Sequence, residues 1–379
     1  MVFADRLVNF YCLLWISSLM SFLKQARSTF FVLLSLNAFS TRAADSVATD
    51  IIPVKTVVVT MYEEGEAMGD GAGELQLWLE RGNFSTKLDF PLGEYDLYLS
   101  EDGVLVICVG GGIPNATASI MALGLDPRFD LSKSYWLIAG IAGGDPEDVS
   151  LGTAAWAKHI VDGDLIYQVD AREIPTSWPY GIIPLGATEP AEEPEDISTG
   201  WTLDTVSFDL NSALADWAYA QTKDIKLADS DAIKAFRSLY KTYPNAQKPP
   251  FVTQGDTLSA SKYWHGKYLN QWANDWLKLY GGDSANFMTS NMEDSGTLTS
   301  LMRLARINKV DPNRVMVLRT VSNYTMAPAD KATSWSITAP YPDGGFPAKD
   351  AAYIVGNKVV QTIVNNWGKY ENTLPYDAN

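Results

Sequence analysis

Cysteine and histidine are nearly absent: among 379 residues only Cys12, Cys108, His159 and His265 carry those side chains. Four such residues build neither a disulfide framework nor a thiolate zinc site, so the chain is read as holding no metal and needing no resident cofactor. Basic runs are missing too. With 29 Lys+Arg against 45 Asp+Glu the formal charge is -16, and binding to nucleic acid or anionic lipid requires clustered Lys/Arg to displace counterions. There is no Gly-x-Ser-x-Gly elbow, no P-loop and no His beside a nucleophile, which excludes the commonest hydrolase and nucleotide-triphosphate chemistries. What is present is 46% hydrophobic, 12% aromatic and 20% charged residues, a composition that buries a core and is not disordered. Chemistry is left to carboxylates, amides and aromatic rings.

Residues 1–44 differ from the rest. Lys24-Gln25-Ala26-Arg27, the apolar Phe30-Phe31-Val32-Leu33-Leu34 and the small pair Ala43-Ala44 before Asp45 have the order of a secretory signal. We expect cleavage after Ala43 or Ala44 and export to an extracellular, periplasmic or cell-wall site. Met20 begins a conventional signal by itself, so the awkward apolar stretch Leu7 to Leu23 is best read as translation started upstream of Met20, the alternatives being an unusual extended signal or a membrane anchor if the segment is not cleaved. After residue 44 no window approaches the roughly 20 apolar residues a spanning helix needs. Residues 45–379 are then one large domain, since no internal repeat appears.

Short β-branched runs alternate with helical segments, the pattern of an α/β domain with strands buried on both faces. The spacing predicts strands at Thr56 to Thr60, Val104 to Val109, Trp136 to Ile141 and Arg314 to Val321. It predicts helices at Asn115 to Leu125, Leu210 to Lys223, Ser261 to Tyr280 and about Ser295 to Ile307. Gly281-Gly282 stops the third of these. Ligand crevices in open α/β sheets lie beyond the carboxyl ends of the strands, so the turns there are where chemistry is sought.

Gly110-Gly111-Gly112-Ile113-Pro114-Asn115 follows a strand and opens a helix, placing Gly112 and Asn115 where backbone amides meet a polar ligand; the alternative is a packing turn. Met61-Tyr62-Glu63-Glu64-Gly65-Glu66 crowds three carboxylates at a strand end, where repulsion and partial burial raise a pKa toward that of a general acid; the alternative is a solvated loop. Met292-Glu293-Asp294-Ser295 precedes a helix, with Asp294 or Ser295 as cap and Glu293 left free. Trp264, Tyr268, Trp272, Trp276 and Tyr280 recur every four residues and read as core packing first, ligand stacking second. Of the sequons at Asn83, Asn115 and Asn323, only Asn83 sits in a loop-like setting.

In order, these blocks resemble the nucleoside phosphorylase and nucleosidase superfamily, and more closely its purine nucleoside permease branch. The likeness is carried by Val58-Val59-Thr60-Met61-Tyr62-Glu63, Gly73-Glu74-Leu75-Gln76-Leu77-Trp78, Asp162 to Pro175, Pro249 to Thr257, Met292 to Thr297 and Leu318 to Thr325. It implies an α/β fold with a twisted mixed sheet, partly closed into a barrel and surrounded by helices. It implies purine nucleosides as ligands, a homo-oligomer by analogy, and roles for residues. Met292-Glu293 resembles the ribose-binding pair, with Met61 beside the sugar. Gly255-Asp256 resembles the motif before a base-stacking aromatic, here Tyr263 or Trp264. Asn323 matches the position of a base-protonating Asp, although an amide delivers no proton. Thr60-Met61-Tyr62-Glu63-Glu64 resembles the nucleosidase strand end, which puts Glu64 at the water-activating position. Hydrolysis is preferred to phosphorolysis, in which inorganic phosphate would be a co-substrate clamped by Arg172 or Arg319. The expected activity is cleavage of the N-glycosidic bond in nucleoside salvage, the alternative a non-catalytic nucleoside-binding component of uptake. The branch name asserts transport, which a chain without spans after its signal cannot carry out by itself.

Overall fold

The computed structural model describes residues 51–377 apart from 192, 198–200 and 202; the expected signal segment and its cleavage point lie outside the described residues. The chain builds one twelve-stranded mixed sheet with helices on both sides. The sheet begins with β1 (Thr56–Thr60), α1 (Gln76–Arg81), β2 (Val104–Cys108) and α2 (Ile113–Leu125). The long strand β3 (Tyr135–Gly144) then leads into β4 (Ala154–Ala157) and β5 (His159–Asp162), which are separated only by Lys158. After α3 (Ser212–Thr222) come β6 (Val252–Gln254) and β7 (Asp256–Ser259), separated only by Gly255. Further along come α4 (Lys267–Gly281), β8 (Phe287–Asn291), α5 (Asp294–Ala305), β9 (Val315–Tyr324) and α6 (Phe346–Asn365).

The pairing closes a circuit. β3 runs parallel to β9, β9 antiparallel to β4, and the β4–β5 stretch parallel to the β6–β7 stretch. β7 is parallel to β8, and β8 returns antiparallel to the end of β3 through Thr289–Gly144 and Ser290–Gly143. The expected partial barrel is therefore present, and β1 and β2 extend from its other side as a parallel flank of β3. A strand buried on both faces shows no alternation, and β1 (Thr-Val-Val-Val-Thr) and β2 (Val-Leu-Val-Ile-Cys) are buried throughout.

On one face Ala116, Ile120 and Leu123 of α2 pack with Leu298, Leu301 and Leu304 of α5 against Val57, Val59 and Ile107. On the other, Trp78 of α1, Leu214 and Ala218 of α3, and Val355, Val359 and Ile363 of α6 cover Val58, Val106 and Leu137. Each fully buried aliphatic side chain in these layers contributes about 1.5–3 kcal/mol. The stripe expected in α4 divides: Trp272 and Trp276 are 1% exposed, whereas Tyr268 faces solvent.

Three boundaries differ from the sequence reading and matter for function. α4 starts at Lys267 rather than Ser261, so residues 261–266 form a loop. β3 and β9 run on through Gly144 and Tyr324, beyond the expected ends at Ile141 and Val321, because each finds its ladder partner in the other. α6 was not foreseen: its buried positions spread round much of the helix, which hides the amphipathic stripe a sequence reading relies on.

Candidate active site

A pocket of about 160 Å³ opens where the carboxyl ends of β1, β3 and β9 meet the start of α5 and the loop before α4. Met61, Tyr62, Glu74, Tyr263, Trp264, Met292, Glu293 and Asn323 are among the side chains that line it, and Tyr341 joins them from the connection between β9 and α6.

The route from β1 into the pocket has an excursion. Beyond Tyr62 the chain loops out and returns, with Glu74 N donating to Tyr62 O at 3.0 Å. Glu63 ties the neck: its carboxylate accepts the backbone N–H groups of Gly73, of Gln76 at 2.6 Å and of Glu64 at 2.9 Å. Glu74 is thereby returned to the end of β1, where its Oε2 accepts from Met61 N and its Oε1 from Ile141 N, both at 2.7 Å. Gly140 permits this approach, since a Cβ there would stand 2.6 Å from Met61 Sδ and 2.7 Å from Glu74 Oε1.

At the β8–α5 junction the cap is Asn291, whose Oδ1 accepts from Glu293 N at 3.0 Å and Asp294 N at 2.9 Å. The expected capping by Asp294 or Ser295 is replaced because Asp294 pairs with Arg319 of β9 through Nε at 3.1 Å and through Nη2. Arg319 Nη2 also stands 3.6 Å from Glu293 Oε2. Glu293 Oε1 accepts from Gly112 N at 3.1 Å. Gly112 has φ 89, a conformation that costs other residues strain, and it aims its N–H at that carboxylate.

Burial governs the charges. Glu74, 5% exposed, is pushed up to about 7 by desolvation, against the opposing pull of Arg319 and the two backbone N–H groups. Glu293 is raised by the same burial and lowered in turn by Arg319. Burial raises the phenols of Tyr263 and Tyr341. Among the described residues no group of three or more His, Cys, Asp or Glu is arranged to hold a metal ion, and no helix is long and apolar enough to cross a membrane.

Of the residues singled out from sequence, Met61, Tyr263, Trp264, Met292, Glu293 and Asn323 meet at the pocket. Gly112 reaches it only through its bond to Glu293. Asn115 is exposed on the first turn of α2, with Nδ2 donating to Gly111 O at 3.0 Å. Glu64 stands outside the lining, 58% exposed in its side chain and paired with Lys349 Nζ at 3.0 Å, because the excursion that follows it carries the chain away from β1. Glu74 and Tyr341 were not anticipated as site residues, although Glu74 lies in the block Gly73 to Trp78. Neither arginine considered for a phosphate clamp is free: Arg319 is held by Asp294, and the exposed Arg172 pairs with Asp170 at 2.8 Å.

A family model described as purine nucleoside permease matches residues 53–375. A probable purine nucleoside permease of Schizosaccharomyces pombe is 31% identical over 275 residues, covering 71% of this chain and 78% of the relative. The purine nucleoside permease of Candida albicans is 33% identical over 278 residues, covering 72% and 67%. Among solved structures, the 5'-methylthioadenosine/S-adenosylhomocysteine nucleosidase of Neisseria meningitidis is similar at 15% identity and TM-score 0.46, covering 82% of this chain and all of that one. The futalosine hydrolase of Helicobacter pylori gives 15%, 0.44, 81% and 98%. With a family model spanning nearly all of the described residues and two relatives above 30% identity, the chain belongs to the purine nucleoside permease family.

Proposed function

We propose that this protein binds purine nucleosides and cleaves their N-glycosidic bond with water. The observation that carries the reading is a carboxyl poised near neutrality, Glu74, in the same pocket as a second buried carboxylate, Glu293. A general base works best when its pKa lies close to the working pH. Glu74 takes the proton of the water that attacks C1', the role the sequence suggested for Glu64. Glu293, fixed by Gly112 N–H and Arg319, accepts hydrogen bonds from the ribose hydroxyls, and Met61 and Met292 cover the sugar. Tyr263 and Trp264 border the base, and Asn323 reads its edge. Positive charge developing on the sugar is stabilised by both carboxylates, a term that grows in a water-poor site.

Water is favoured over phosphate as the nucleophile by charge. The lining holds Glu74 and Glu293 with Lys262 as its cation, and Lys262 stands 3.6 Å from Asp164; a phosphate dianion entering there meets like charge. The second reading, a nucleoside-binding component of uptake without turnover, is favoured by Asn323, whose amide carries no titratable proton. Export through the N-terminal segment completes the proposal, with the nucleoside met outside the cell.

The test is to incubate the purified protein with inosine, adenosine and guanosine, with and without inorganic phosphate, and to separate the products by chromatography. Free base and ribose without phosphate support hydrolysis. Ribose 1-phosphate formed only with phosphate replaces it by phosphorolysis, and bound but uncleaved nucleoside leaves the uptake reading.

A further inference from the structure

Residues 64–72 leave the sheet after β1 and return before α1, and Glu74 meets the pocket only where that excursion closes on itself. Proton transfer tolerates little misplacement, since an error of about 1 Å transmitted from a distant change costs roughly 10²-fold. Two charged side chains outside the pocket lining close the excursion. Glu63 bridges the neck from within: its Oε1 accepts from Gly73 N and from Glu64 N at 2.9 Å, and its Oε2 accepts from Gln76 N at 2.6 Å. α1 has no capping side chain of its own, so Gln76 at its start relies on this carboxylate. The fit leaves no slack, because Glu63 is 8% exposed and a Cβ on Gly73 would stand 2.6 Å from Glu63 Cα.

Lys349 of α6 grips the same neck from outside. Its side chain is 4% exposed, and its Nζ donates to Ala72 O at 2.6 Å on the returning arm and to Glu64 Oε1 at 3.0 Å on the outgoing arm. The same Nζ lies 5.6 Å from the ring centre of Tyr62, which lines the pocket. Shielding an ammonium from water costs free energy unless it is paired, and here the pairing goes to both arms of one loop.

Resting on the glycosidase reading, we propose that Glu63 and Lys349 are the positioning residues of the catalytic base: together they clamp the neck and hold Glu74 between Met61 N and Ile141 N. The inner clamp needs both oxygens of a carboxylate. An amide has one acceptor oxygen and would turn its NH2 toward a backbone N–H, so Glu63→Gln opens the neck while conserving shape. The outer clamp needs the bond to Ala72 O, and the exposed Glu64 is the dispensable half of that grip.

The effect is read on Glu74 itself. Around its carboxyl stand Arg319 of β9, Glu293 before α5, Tyr62 after β1 and Cys108 of β2, and neither Glu63→Gln nor Lys349→Met removes any of them. Hydrogen bonds to an ionised carboxylate lower its pKa, and so does the removal of a neighbouring negative charge. Loss of the Met61 and Ile141 N–H groups therefore moves the Glu74 midpoint up from about 7, whereas loss of the Glu63 charge alone moves it down.

The experiment labels the glutamate carboxyls of the wild type, Glu63→Gln and Lys349→Met with 13C and titrates each protein by NMR, the Glu74 signal being identified by its disappearance in Glu74→Gln. The kcat and KM for inosine are measured alongside, and circular dichroism checks the fold. In Glu63→Gln the midpoint is expected to rise and kcat to fall about 10²-fold, with KM close to that of the wild type. Lys349→Met is expected to lower kcat in the same way. A Glu63→Gln midpoint that falls or stays, or a kcat near the wild-type value, overturns the inner clamp, and a Lys349→Met protein with wild-type kcat removes the outer one. A raised midpoint in Glu63→Gln when the wild type itself cleaves nothing keeps the clamp and overturns the glycosidase reading.

Discussion

The carboxylate of Asp294 and the guanidinium of Arg319 form a two-pronged ion pair from which water is shut out, their side chains being 0% and 1% exposed. Arg319 also faces Glu293 and lies beside Glu74 in the charge balance of the site, so one cation holds three buried carboxyl groups together. Removing one partner of such a pair leaves charge buried without compensation, at about 3–5 kcal/mol. Arg319→Met is expected to lower stability by that amount in a denaturant titration at pH 8, with a smaller deficit at pH 5, where the stranded carboxyls take up protons. A deficit independent of pH would mean that Arg319 contributes packing alone.

Glu64 and Glu74 are separated cleanly by substitution. Glu74→Ala is expected to lower kcat by about 10²–10⁴-fold while nucleoside affinity, measured by calorimetry, stays within the same order. Glu64→Ala removes the carboxylate partner of Lys349, whose side chain is 4% exposed and keeps its bond to Ala72 O at 2.6 Å; it is expected to cost some stability and to keep wild-type turnover. The reverse pattern would return the water-activating role to Glu64.

The pH profile follows from the same carboxyl. Only ionised Glu74 accepts a proton, and its pKa is pushed up to about 7, so kcat/KM is expected to rise with pH through that region and to level off above it. Glu293 is displaced in the same direction, and its protonation on the acid side would weaken ribose binding and steepen the limb. Rates already flat at pH 5 would contradict a base of this kind.

Gly112→Ala tests the sugar end. With φ 89 at this position, a side chain costs about 1–3 kcal/mol in strain, relieved by turning the N–H away from Glu293. Affinity for inosine is expected to fall about tenfold or more, at 1.4 kcal/mol per decade, and affinity for free hypoxanthine to hold. Equal losses would show that Gly112 supports the whole pocket.

Much of this was readable beforehand. The runs Thr56 to Thr60 and Val104 to Cys108 are β-branched or aliphatic and bounded by turns, and they are strands because nothing in their sequence competes with that state. Met292-Glu293 follows the end of β8 and Asn323 lies in the last residues of β9, at the carboxyl ends where α/β topology collects ligands, and both line the pocket. Glu74 was passed over as a site residue for a definite reason. The resemblance of Thr60 to Glu64 to a nucleosidase strand end favoured Glu64, whereas the hydrogen bonds that Glu63 accepts from Gly73 and Gln76 fold residues 64–72 out of the way. A contact made by a loop returning on itself has no periodicity to betray it.

By itself the sequence determined the fold class and four of the strands, and it drew attention to carboxylates, amides and aromatic rings, because composition, period and residue type are local properties. Only the tertiary structure decided which carboxylate reaches the pocket, that Arg319 is engaged with Asp294 and Glu293, and that Tyr341 meets Tyr263. Those are contacts between segments far apart in the chain, set by how β3 and β9 pair and by which groups are buried with them.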